Sequence, residues 1–82
     1  MEKGCNGWKN RQTWNVSLWI NNGEALYRKA VDFMKTHIGC KSPYKAFIKF
    51  AGLENEKTGD GYRWISKALD YKALDDMMQE LL

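Results

Sequence analysis

Apolar residues return at helical spacing in three separate stretches, each bounded by its own start or stop signals. Tyr44, Phe47, Ile48 and Ala51 follow i, i+3, i+4, i+7 behind Ser42-Pro43. Serine is a capping residue there, and proline suits the first helical position. Gly52 is the expected stop. Leu74, Met77, Met78 and Leu81 repeat the same spacing behind Asp70, a second capping residue. Between residues 23 and 38, Leu26, Ala30, Phe33 and His37 form one row and Tyr27, Val31, Met34 and Ile38 the next. Adjacent rows make one broad apolar face. Asn21 with Glu24 three residues later resembles a capping box at its start, and Gly39 ends it where a left-handed residue is wanted.

The stretch from Asn10, NRQTWNVSLWINN, reads two ways. Trp14, Val16, Leu18 and Ile20 alternate with Thr13, Asn15, Ser17 and Trp19, which is a strand pattern. Trp14 and Leu18, and likewise Val16 and Ile20, are also i, i+4 helical partners. A lone strand has no partner to complete its ladder. The expected fold class is therefore all-α, a bundle of four to five short helices near residues 11–21, 23–38, 43–51 and 71–81. The alternative is α+β if residues 13–20 pair as a strand. The predicted core is Trp14, Leu18, Leu26, Phe33, Phe47, Ile48, Trp64 and Leu74. Residues 53–61 read as a polar hinge loop, with Tyr62, Ile65 and Leu69 marking a short helix or turn.

The chain has 82 residues. That length suits a single domain with a modest core. Residues 1–9 read as a loose N-terminal arm, with Trp8 as its anchor. No apolar run approaches the ~20 residues of a membrane span. The first ten residues are polar, so no secretion signal is expected and the location is expected to be cytoplasmic. Cys5 and Cys40 are then expected to stay reduced.

No catalytic constellation emerges, and the chain is expected not to be an enzyme. His37 is the only histidine, and its place on an apolar row reads as a partly buried structural residue. Asp75 and Asp76 point about 100° apart on a helix, so they are not a paired acid and base. Gly59-Asp60-Gly61 lacks the strand and helix context of a phosphate loop, and the acidic residues around it lack EF-hand spacing. No cofactor and no metal are expected.

Charge and aromatics carry the functional signal. Residues 1–52 hold nine Lys/Arg and three Asp/Glu, and residues 53–82 hold four and seven. Lys41, Lys45 and Lys49 recur four apart, which on a helix gives one solvent face. Of the chain's four tryptophans, Trp8 and Trp19 are interface candidates, because a surface Trp near Lys or Arg is a common anchor. Trp8 adjoins Lys9 and lies near Arg11. The expected partner-binding residues are thus Lys41, Lys45, Lys49, Trp8, Lys9, Arg11 and Trp19. The expected partner is a protein with an acidic surface, and the alternative is nucleic acid. Leu81-Leu82 leaves self-association open.

The run from Asn10 to Asn22, followed by Leu26-Tyr27, resembles short, mostly uncharacterised proteins of bacteriophages and plasmids that share an N-x-x-T-W-x-V-x-L-W-x-x-N signature. The resemblance implies a mobile-element setting. In that setting, small helical proteins often bind and block a host enzyme such as a defence nuclease or a restriction system.

Overall fold

The computed structural model describes residues 7–82. The chain there forms α1 (Arg11–Asn22), α2 (Glu24–Thr36), α3 (Pro43–Phe50) and α4 (Tyr71–Gln79). The fold class is all-α: residues 13–20 are helical, and the strand reading of that stretch fails. Neither residues 53–61 nor 62–70 form a fifth helix. Helix α4 packs against each of the other three, α2 packs against α1 and α3, and α1 and α3 do not touch.

Helix α1 starts at Asn10. Its side-chain oxygen accepts from the Thr13 backbone N–H at 2.9 Å and from the Thr13 hydroxyl at 2.6 Å. Its amide nitrogen donates to the Ala68 carbonyl at 2.6 Å. The Thr13 hydroxyl in turn accepts the Asp70 backbone N–H at 3.0 Å. Asp70 then caps α4, its carboxylate accepting from the Ala73 N–H at 3.2 Å, as the sequence predicts. One short chain of bonds therefore fixes the first turns of both terminal helices against each other.

That junction sets which face of α1 is buried. Thr13, Val16, Ser17 and Ile20 turn inward at i, i+3, i+4, i+7. The Ser17 hydroxyl is satisfied within the helix by the Trp14 carbonyl at 2.7 Å. Two expectations are corrected here. Trp14 and Leu18 are only half-buried and lie outside the core cluster, and Leu26 is half-buried at its edge. Phe33, Phe47, Ile48, Trp64 and Leu74 are buried as expected, joined chiefly by Ile20, Met34, Tyr44 and Met78. Buried polar groups are tolerated only when bonded, and those of α1 are.

Other boundaries also differ from the sequence reading. Asn21 and Asn22 belong to α1 and no capping box forms; Gly23 closes α1 and opens α2 without a side-chain cap. Asn21 instead donates to the Met77 sulfur at 3.3 Å. Helix α2 ends at Thr36, before Ile38. Gly39, with φ +90°, turns the chain away in the left-handed region. Ser42 makes no side-chain cap; Asp75 of α4 does that work, accepting the Tyr44 N–H at 3.0 Å. A carboxylate at the start of α3 also meets the positive end of its dipole.

Residues 53–61, read from the sequence as a polar hinge loop, are a turn-rich loop tied back on the residues that follow it. Lys57 and Arg63 form an antiparallel bridge. Thr58 N–H donates to the Tyr62 carbonyl at 2.7 Å, and Trp64 N–H to the Glu56 carbonyl at 3.2 Å. Trp64 is buried, and its carbonyl accepts the Tyr44 hydroxyl at 2.6 Å. Burial, and secondarily the neighbouring Tyr71, hold the Tyr44 hydroxyl far above the usual tyrosine pKa, so it stays a neutral donor.

Replacing Thr13 by Val keeps the volume but leaves the Asp70 N–H without its acceptor, while the Asn10 oxygen keeps only the backbone N–H of residue 13. Thr13→Val should cost about 1–3 kcal/mol in urea unfolding, the scale for an orphaned buried polar group. Trp14→Ala should cost less than Phe47→Ala, which removes a fully buried aromatic and should cost about 3–5 kcal/mol.

Candidate functional site

The seven residues expected to bind a partner fall on separate parts of the surface. Lys41, Lys45 and Lys49 are exposed along α3 and the turn before it. Lys45 is the most fixed of them, its Nζ lying 4.6 Å from the centroid of the Tyr71 ring. Trp8 is half-buried against the core and lines a groove of about 570 Å³ with Asn21, Tyr27, Met77 and Leu81. Lys9 and Arg11 are exposed beside it. Trp19 faces the turn at residues 58–61. The three lysines lie on α3 and the turn before it, Trp8 borders the groove formed with α4 residues, and Trp19 lies at the 58–61 turn. Residues 1–6 of the expected arm, Cys5 included, lie outside the described residues. Leu82 is exposed, whereas Leu81 packs on the core.

The first notable surface lies where α2 meets α3. The His37 ring stacks on Phe33 at 3.9 Å with 14° between planes. Its Nδ1 lies 2.8 Å from the Phe33 carbonyl. A carbonyl only accepts, so Nδ1 carries the proton and helps close α2. His37 is therefore exposed, not partly buried as the sequence suggests. Phe50 leans on the same stack, 5.3 Å from Phe33, yet is 62% exposed. It borders a hollow of about 520 Å³ shared with Arg28, Lys29 and Asp32 of α2. Arg28 is tied to Glu24 at 2.7 Å, an exposed pair of small energetic weight. Nearby, Ile38 is 74% exposed.

The second lies where α1 meets the 58–61 turn. Asn15 is buried and works as a clamp: its oxygen accepts the Thr58 hydroxyl at 2.8 Å, and its nitrogen donates to Asp60 Oδ2 at 2.8 Å. Trp19 Nε1–H donates to the same oxygen at 3.1 Å. The indole lies against Gly59, where a Cβ would come within 2.5 Å of Cη2. Only glycine leaves room for the ring there. The Asn15 and Trp19 hydrogen bonds hold the exposed Asp60 carboxyl below its ordinary value.

Phe50, Asn15, Gly59 and Asp60 were missed by sequence reasoning. Phe50 had a signal, an aromatic placed off the apolar row of α3. Asn15 and Asp60 are ordinary polar residues until the fold joins them across 45 positions.

Among the described residues, no three His, Cys, Asp or Glu side chains converge as a metal site would need. Asp75 caps α3, and Asp76 pairs with Lys72 at 3.3 Å. Cys40 is a half-buried free thiol. Among the described residues no helix is long and apolar enough to cross a membrane. The full length, residues 1–82, matches the model of a family of unknown function, DUF7249. The chain belongs to this family. No curated protein and no solved structure gives a significant match.

Asp60 yields a direct check. Its folded pKa is lowered, so the stabilisation it contributes is present above the ordinary value of 3.8 and is lost as pH falls through the lower folded value. An NMR titration should place Asp60 below that value. Asn15→Ala should move it back upward more than Trp19→Phe does, because the Asn15 bond is the larger cause.

Proposed function

We propose that the chain is a non-catalytic protein-binding module that docks through the α2–α3 face onto a protein with an acidic surface. The observation that carries this reading is Phe50, a large aromatic left mostly exposed at the rim of a hollow that also holds Arg28 and Lys29. Monomeric surfaces carry single exposed apolar residues routinely, but this aromatic is bordered by Arg28, Lys29 and Lys49. Against these stand Asp32 on the same rim and Glu24 paired to Arg28, which leaves a net positive border that suits an interface anchor. Lys49 adjoins Phe50, and Lys45 and Lys41 extend the positive strip along α3. Burying the Phe50 ring would supply about 1.5–3 kcal/mol, and the lysines would steer encounter more than they hold the complex. The likeness of the Asn10–Asn22 signature to phage and plasmid proteins supports a host enzyme, such as a defence nuclease or restriction system, as the partner. Nucleic acid is the competing partner, since exposed aromatics beside lysines also stack bases.

Affinity capture from host lysate with and without nuclease separates these. The expected result is a nuclease-resistant partner that is lost with Phe50→Ala and with a Lys41/Lys45/Lys49→Glu triple variant. The triple variant should stay folded, losing only about 0.5–1 kcal/mol from the Lys45–Tyr71 contact. Capture that nuclease abolishes, with a log K against log salt slope of about −2 to −3, would assign the face to nucleic acid instead. Capture unchanged by both variants would remove the face from consideration.

A further inference from the structure

We propose that the hollow between the C-terminal end of α1 and the 58–61 turn is a binding site for an arginine side chain of a partner protein. The hollow measures about 270 Å³ and is lined by Leu18, Trp19, Asn22, Gly23 and Asp60. Its walls are mostly apolar, and it holds one charged group, the Asp60 carboxylate. Helices α1 and α3 do not touch, so this site stands independently of the α2–α3 reading.

The carboxylate is both oriented and unspent. Oδ2 accepts from Asn15 at 2.8 Å and from the Trp19 indole at 3.1 Å. Among the described residues Oδ1 accepts no hydrogen bond and Asp60 forms no ion pair. The indole is held from two directions, by the Nε1–H bond to Asp60 and by the close seat on Gly59. Yet Trp19 remains 39% exposed. Ring and carboxylate are thus fixed relative to each other before any ligand arrives, which lowers the ordering cost of binding.

An anionic oxygen beside an indole in an apolar recess selects a cation that has a flat face and N–H donors. A guanidinium meets all three requirements: it donates to the carboxylate, stacks on the indole and is more weakly hydrated than an ammonium. The apolar shaft of arginine suits the Leu18 wall. Lysine offers the charge without the plane. The bonds of Asn15 and Trp19 to Oδ2 also tether the turn, so the test must spare that tether. Asp60→Asn does so: the amide oxygen still accepts from Asn15 and Trp19, while the free acceptor becomes a donor and the charge disappears.

The experiment follows the Trp19 indole N–H resonance, assigned by its loss in Trp19→Phe, during titration with Nα-acetyl-arginine methylamide. The citrulline analogue has the same shape without the charge and serves as control. Arginine should shift the resonance saturably, at about millimolar half-saturation for a lone side chain. Asp60→Asn should weaken binding at least about tenfold, the scale of a lost charge-assisted hydrogen bond. Asn22→Arg, at an exposed position with no side-chain hydrogen bond among the described residues, should fill the hollow from within the chain, so that the indole N–H moves toward its arginine-bound position and added arginine no longer shifts it. An unmoved resonance, an equal response to citrulline, or undiminished binding by Asp60→Asn or Asn22→Arg would overturn the proposal.

Discussion

A buried polar junction organises this small bundle. Asn10 and Thr13 at the start of α1 bond to Ala68 and Asp70 at the start of α4. A little further along α1, Asn15 clamps Thr58 and Asp60. These bonds fix the rotation of α1 about its own axis, and with it the choice of Val16 and Ile20 for the core over Trp14 and Leu18. Hydrophobic burial alone would have preferred the larger side chains. The polar bonds decide the matter because an unpaired buried donor costs as much as a buried side chain returns.

The same junction explains how a long segment without helix can lie within so small a fold. Residues 53–70 carry Trp64 and Leu69 into the core. Their backbone groups find partners in the turn itself and in side chains of α1 and α4. Among the described residues three aromatics are left at the surface, Trp19, Tyr27 and Phe50, and two of them sit in distinctive surroundings. Phe50 stands above the Phe33–His37 stack among basic groups. Trp19 lies over Gly59 beside a carboxylate.

Helical spacing made α2, α3 and α4 legible, because Ala30, Phe33 and Met34 of α2 and the rows of α3 and α4 face the core, although Tyr27, His37 and Ile38 of the α2 rows are exposed. Asp70 as a cap was legible for the same local reason: capping needs only near neighbours. What the sequence concealed was long-range. The Asn21–Glu24 spacing matches a capping box, but α1 runs on through Asn22 and leaves no cap to form. Thr13 and Ser17 look like the polar side of α1 until their hydroxyls find partners, one of them at Asp70. Gly59-Asp60-Gly61 has neither the context of a phosphate loop nor EF-hand spacing, and its role as a seat for Trp19 appears only once α1 is laid beside it. The lysine strip on α3 was visible in spacing, whereas its neighbour Phe50 was not singled out.

Native-state hydrogen exchange of the Asp70 backbone amide tests the organising role of the junction most directly. Among the described residues its partner is the Thr13 hydroxyl, 57 residues away. If the junction holds the fold together, this amide opens only with global unfolding, and its protection matches that of Val16 and Met78 in the core. Exchange at the fast rate of an open loop, with Val16 and Met78 still protected, would contradict the account.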